Sequence, residues 1–184
     1  MKHYVGNFNN EINCDNILSE IQQHEVDIDH GHMILSKDNP FYAESVNQMN
    51  LMQSVGYDET TVEYRHYQSG KHFNSNVSIK FGELVNAVPL MCWVSEVRPG
   101  KCVPWHWDIN PWENEHKQLG DIVRYFCFLS RPQPGHIFVT ATDAYYMEPQ
   151  GAVYQYEDLH QWHAGSNVGL TPKFLMTFTG YKKV

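Results

Sequence analysis

Two periodicities divide the chain. In the first half, apolar positions recur at helical spacing. Ile12, Ile17, Leu18 and Ile21 form one such stripe, with Asn13 or Asp15 placed to cap its start. A second stripe starts at Asn39-Pro40, runs through Phe41, Val46, Met49, Leu51, Met52 and Val55, and stops at Gly56. Its methionines read as flexible core filler. Thr60 to Tyr67 alternates β-branched, aromatic and polar residues, which predicts a strand closed by the turn at Ser69-Gly70. A shorter helix is expected from Ser78 to Val88, ending before Pro89.

From Leu90 the period falls to two. Strands are predicted over 90–97, 101–107, 122–129, 136–142, 143–148, 152–156 and 173–181. Arg98-Pro99-Gly100-Lys101, Arg131-Pro132-Gln133-Pro134-Gly135 and Pro149-Gln150-Gly151 supply turns between them. Residues 113–120 read as a polar insertion, and His163 and Asn167 as part of a loop. Helices followed by at least seven short strands predict an antiparallel sandwich or small barrel with helices packed on one side. No repeat or low-complexity linker interrupts the chain. One domain is expected over 1–184, with a helix-rich support region (1–89) and a β core (90–184).

Composition narrows the partners. A formal net charge of −8 disfavours nucleic acid, whose binders carry basic patches. No stretch approaches the roughly 20 apolar residues of a membrane span, and the first residues lack the apolar run of a signal peptide. No membrane partner is expected, and the localisation expected is cytoplasmic. Cys14, Cys92, Cys102 and Cys127 show no C-x-x-C spacing and read as reduced core thiols.

The chemistry concentrates at Val103-Pro104-Trp105-His106-Trp107-Asp108. On an extended chain His106 and Asp108 point to one face, as a shared metal requires. His163 follows several strands later, consistent with a position on a facing strand. Two histidines and a carboxylate form the facial triad of non-haem Fe(II) oxygenases. Arg124 interrupts an apolar strand and would share a face with Ile122, Phe126 and Phe128. A buried cation needs a partner, either an internal carboxylate or a dicarboxylate cosubstrate. Lys173 opens the last strand, as an exposed strand-end lysine or as a second cosubstrate contact. Trp105 and Trp107 read as packing behind the site, whereas Trp112 and Trp162 read equally as core or as substrate mouth. The run Asp27 to His32 reads as a polar loop rather than a metal cluster.

From Leu90 to Tyr181, about half its length, the chain resembles the Fe(II)/2-oxoglutarate-dependent dioxygenases, and within them the aspartyl/asparaginyl β-hydroxylase-like branch. Val103 to Asp108 resembles the segment with the first two metal ligands. Val123-Arg124-Tyr125-Phe126-Cys127-Phe128-Leu129-Ser130-Arg131-Pro132 resembles the strand whose arginine contacts 2-oxoglutarate. Gly151 and the aromatic run after it resemble the approach to the distal ligand, and His163, Asn167 and Lys173 the distal histidine and the later basic residue. The family usually has arginine at the position of Lys173, and many of this branch have histidine at that of Phe126. His160 is the other candidate for the distal ligand, and the spacing to Lys173 favours His163.

The resemblance implies a mainly β fold with N-terminal helices (α+β), a double-stranded β-helix or jelly-roll barrel of cupin-like kind. It implies Fe(II) on His106, Asp108 and His163, 2-oxoglutarate held by Lys173 and Arg124, and O2 as the third participant. The reaction implied is hydroxylation of a protein side chain, an amino acid or a small metabolite. A cupin-like metal protein that does not use 2-oxoglutarate is the alternative, and a barrel without catalysis is a third reading.

Overall fold

The computed structural model describes residues 2–30, 37–108 and 120–183. The chain folds as a jelly-roll of two antiparallel sheets. The larger has six strands in the order β1-β8-β5-β10-β3-β2: β1 Tyr4–Asn7, β8 Ala152–Gln155, β5 Ile122–Phe128, β10 Lys173–Lys182, β3 Ala87–Val97 and β2 Tyr64–Gln68. The smaller has four, ordered β4-β9-β6-β7: β4 Lys101–His106, β9 His163–Asn167, β6 His136–Thr140 and β7 Ala144–Tyr146. The helices are α1 Asn9–Ile12, α2 Cys14–Ile21, α3 Tyr42–Ser54 and α4 Asn76–Leu84.

The large sheet is buried on both faces, which is why β5 and β10 read as nearly unbroken apolar runs. On the outer face, Tyr125, Cys127, Phe174, Met176 and Phe178 pack against Phe8, Ile12, Ile17, Ile21 and Phe81 of the helical layer. On the inner face, Phe126, Phe128, Tyr154 and Leu175 meet Phe138 and Tyr145 of the small sheet. Phe126 is fully buried, with Phe138, Tyr145, Tyr154 and Tyr156 all within 5.5 Å between ring centroids. Burying such a ring is worth roughly 1.5–3 kcal/mol.

Several local expectations hold. Asn13 caps α2, its side chain accepting from the Asn16 amide at 3.1 Å. The second helix lies inside its predicted span. The cysteines are free thiols; Cys14, Cys92 and Cys127 are buried, and Cys102 half-buried.

Other boundaries move for identifiable reasons. β1 lies ahead of the first predicted helix, where no strand was expected, because Tyr4–Asn7 pairs with β8. Residues 58–62 form a turn rather than the start of β2. Asp58 there accepts from the Thr60 and Thr61 amides and the Thr60 hydroxyl. The third helix is α4, and β3 begins at Ala87, so Pro89 sits inside a strand. It is tolerated there because β2 pairs only with 93–97, leaving the edge beside Pro89 open, and β10 shifts register at Thr179/Gly180.

The expected loop at His163 and Asn167 is a strand, β9, bonded to β4 on one side and β6 on the other. His-Ala-Gly-Ser-Asn carries no apolar alternation, yet His163, Gly165 and Asn167 are the buried positions, two residues apart. Most of the predicted insertion, residues 113–119, lies outside the described residues, as do His32 and Trp112.

Candidate metal centre

Strand register builds the site. On the large sheet, antiparallel pairing aligns Lys173 with Val97 and Tyr64, then Leu175 with Ser95 and His66, then Thr177 with Trp93 and Gln68. Residues opposite one another in an antiparallel pair share a face. These nine side chains line one wall of a cavity of about 530 Å³, within the roughly 300–1,000 Å³ usual for small-molecule sites. The small sheet supplies Phe138, Gly165, Val103, His106 and His163, and α3 supplies Met49 and Met52.

His106 and His163 are direct cross-strand neighbours on β4 and β9, with a bulge between Val103 and His106. The distal histidine therefore lies on the adjacent strand of the same sheet, not on a facing one. Asp108 follows the end of β4. One ligand atom from each of His106, Asp108 and His163 lies within 4.8 Å of the others, and among the described residues this is the one such group of three or more. His106 Nε2 lies 3.5 Å from Asp108 Oδ1, and His163 Nε2 lies 3.6 Å from Asp108 Oδ2.

Both imidazoles are set by the same local device. His106 Nδ1 lies 2.8 Å from the carbonyl of Pro104, and His163 Nδ1 lies 2.9 Å from that of Gln161. A carbonyl only accepts, so each Nδ1 carries the proton and each Nε2 presents its lone pair to the shared centre. Metal-binding histidines are oriented in this way. Burial, with the neighbouring His106, presses the His163 pKa down to about 3, which keeps that ring neutral. Burial works against the Asp108 carboxylate, but its neighbours, the Arg124 guanidinium foremost, outweigh it and hold its pKa well below the usual range. The donor set fits a divalent metal: two imidazole Nε2 atoms and one carboxylate, converging on one side of a cavity.

Arg124 is fully buried on the inner face of β5, as its place in the apolar alternation predicts. Its Nη2 donates to Asp108 Oδ2 and its Nη1 to the Leu159 carbonyl at 3.3 Å. The guanidinium carbon lies 4.7 Å from the Tyr156 ring centre and 6.0 Å from that of Trp93. Of the two alternative partners for a buried arginine, the structure supplies the internal carboxylate.

Lys173 is buried, not an exposed strand end. Its Nζ donates to the Ile137 carbonyl at 2.6 Å, and burial pulls its pKa down to about 7. Asp108 is the one carboxylate among the described residues lining the cavity, and Arg124 already engages it.

Other candidates sort differently. His160 is exposed, edge-on to Trp107 at 4.6 Å, and stands outside the three-residue group. Trp105 does turn away from the site, stacking on Trp162 at 6.5 Å. Trp107 lines the cavity instead, because β4 ends at His106 and strand alternation no longer governs the next residue. Tyr64 and His66 also line it, while Arg65 faces away and is buried beside Glu63. Met49 and Met52, read as core filler, form the opposite wall; α3 buries only Ser45. In the Asp27 to His32 run, Asp29 bridges to Tyr64 through backbone bonds and His30 Nδ1 bonds the Val62 carbonyl.

No protein-family model and no curated protein sequence matches the chain. Similar solved structures include a Pseudomonas putida prolyl-4-hydroxylase (11% identity, 92% of this chain and 99% of that one, TM-score 0.44). The cupin domain of Schizosaccharomyces pombe Cnp3 is another (12% identity, 69% and 74%, TM-score 0.39), as is a predicted oxalate decarboxylase from Thermotoga maritima (12% identity, 65% and 81%, TM-score 0.38). These are likenesses of outline, and the chemistry of the site rests on its own geometry. Among the described residues, no helix is long and apolar enough to cross a membrane.

Proposed function

We propose that this protein is an Fe(II)- and 2-oxoglutarate-dependent dioxygenase that hydroxylates a small molecule or a protein side chain. His106, Asp108 and His163 hold the metal, and Lys173 takes the far carboxylate of 2-oxoglutarate. The observation that carries the reading is Lys173. It is a buried amine in the same cavity as the His/Asp/His group, bonded to a carbonyl that offers no countercharge. With Asp108 engaged by Arg124, the cavity favours an anion although the chain as a whole carries −8.

When bound, Fe(II) would supply activation of O2 coupled to oxidative decarboxylation of 2-oxoglutarate, one oxygen atom leaving in succinate and the other entering the substrate as hydroxyl. The chain's own part is to bind and orient. Pro104 and Gln161 fix the two histidine tautomers, Lys173 sets the direction of the dicarboxylate, and Trp93, Trp107, Met49 and Met52 give the substrate an apolar wall.

A metal-dependent enzyme of cupin-like architecture that does not use 2-oxoglutarate is the second reading. The observation favouring it is the Arg124–Asp108 pair, which satisfies the buried guanidinium without an external acid.

The test is an anaerobic titration with Fe(II) and then 2-oxoglutarate, following the visible charge-transfer absorption of an iron-chelated keto acid. The band should form in the native protein, vanish in His106→Ala and require much more 2-oxoglutarate in Lys173→Met. Iron binding with no band at any 2-oxoglutarate concentration would transfer the assignment to the second reading.

A further inference from the structure

Arg124 occupies an unusual position for a cosubstrate clamp. It is completely buried, is absent from the cavity lining, and spends its fork on Asp108 and on the Leu159 carbonyl. Tyr156 and Trp93 hold the guanidinium in place, and its buried Nε has no hydrogen-bond partner. Asp108 lies beyond the end of β4, where no strand pairing fixes its backbone direction. Side-chain contacts reach both oxygens of its carboxylate. Arg124 grips Oδ2, while Oδ1 faces His106 Nε2 at 3.5 Å.

We infer that Arg124 is a positioning residue for the metal ligand Asp108, acting through that carboxylate rather than on 2-oxoglutarate. The inference rests on the metal reading of the His106, Asp108 and His163 group. Two opposed effects decide its sign. The guanidinium puts a positive charge near a dication, which weakens metal binding. It also holds the carboxylate so that Oδ1 faces His106 Nε2 and Oδ2, the oxygen it grips, faces His163 Nε2, which strengthens it. Outer partners of metal ligands usually raise affinity by about 10–100-fold. The caged, fixed geometry of this pair places Arg124 with them. With the arginine's charge cancelling that of Asp108, the loaded site keeps the full dipositive charge of its metal. Anionic ligands in the cavity then feel a stronger field than beside a carboxylate without such a partner.

The experiment uses Co(II) alone as the probe, anaerobically, with affinity read from calorimetry and coordination from the visible d–d bands. Native protein is compared with Arg124→Gln and with Arg124→Lys, which keeps the charge but not the fork. Arg124→Gln should bind Co(II) about 10–100-fold more weakly with altered bands, and Arg124→Lys should fall between it and the native protein. A buried pair broken on one side can unfold a domain. If Arg124→Gln does not fold, Arg124→Lys carries the test, with a loss of about three- to thirty-fold expected. Variants that bind Co(II) as tightly as native protein, or more tightly, would show that the arginine competes with the metal and overturn the inference. A loss confined to 2-oxoglutarate affinity of the loaded protein would make Arg124 a cosubstrate contact and overturn it equally. Failure of native protein to bind Co(II) is a separate result, which removes the metal reading itself.

Discussion

A Cβ built on Gly165 of β9 would lie 2.7 Å from Nζ of Lys173, so the lysine reaches its place over a residue with no side chain. The two belong to different sheets, and the absent Cβ keeps the path across the cavity open. Gly165→Ala should push the flexible amine aside and weaken 2-oxoglutarate binding by about tenfold, roughly the loss of one misaligned charge-assisted contact. Co(II) affinity should stay within about twofold, because Gly165 does not touch the three ligands. Equal 2-oxoglutarate affinities for Gly165→Ala and native protein would remove Lys173 from that role.

The depressed pKa of Lys173 makes stability rise with pH in the ligand-free protein. Its pKa is about 7 when folded, against about 10.5 for a free lysine. Between those values the unfolded chain binds the extra proton, so alkali favours the folded state, at up to about 1.4 kcal/mol per pH unit for one proton. Urea midpoints of the metal-free protein should climb from pH 7 to 9, and Lys173→Met should flatten the climb. Saturating 2-oxoglutarate should oppose it by favouring the charged amine. An unchanged slope in Lys173→Met would place the titration elsewhere.

His163 and His160 sit three residues apart and give opposite expectations. His163→Ala should abolish measurable Co(II) binding. His160→Ala should leave it unchanged, since that exposed ring meets Trp107 rather than the carboxylate. Calorimetry on the pair separates them, and metal loss in His160→Ala would reassign the distal ligand.

Asn167 is fully buried and ties the β9–β10 turn. Its Nδ2 donates to the carbonyls of Val97 and Thr171, each at 2.8 Å, and its Oδ1 accepts from the Gly169 amide at 3.0 Å. Asn167→Leu should cost about 2 kcal/mol or more, because it strands buried backbone groups. Urea unfolding would read the change. A cost below about 0.5 kcal/mol would mean that water replaces the amide.

Phe126→Ala should cost about 3–5 kcal/mol in the same assay, the range for emptying a large aromatic site in a packed core. The residue stands at the centre of the interface between the sheets, with no exposed surface. A loss under about 1 kcal/mol would mean that the surrounding rings collapse into the space.

Much of this protein is legible along the chain, because local chemistry fixes it. Period-two alternation placed Arg124 on the face of Phe126 and Phe128, and the structure buries all three there. His106 and Asp108 lie close enough in sequence for their side chains to meet whatever path the backbone takes between them. Asn13 marked the start of α2 through a side chain that reaches a nearby amide. Each of these depends on residues within a turn or two of one another.

The rest depended on partners far away. β9 leaves no mark in the sequence because its hydrogen bonds come from β4 and β6, and a polar strand held on both sides needs no apolar signature. Met49 and Met52 look the same in sequence whether they fill a core or face an opening. A buried arginine demands a countercharge without naming it, and only the fold brings Asp108 to Arg124. The sequence by itself determined the strand-rich architecture and the residue types able to hold a metal, since those follow from periodicity and ligand chemistry. The tertiary structure alone decided which carboxylate the arginine takes, that Lys173 lies buried opposite Gly165, and which side chains wall the cavity, since these depend on how the two sheets and α3 pack around one another.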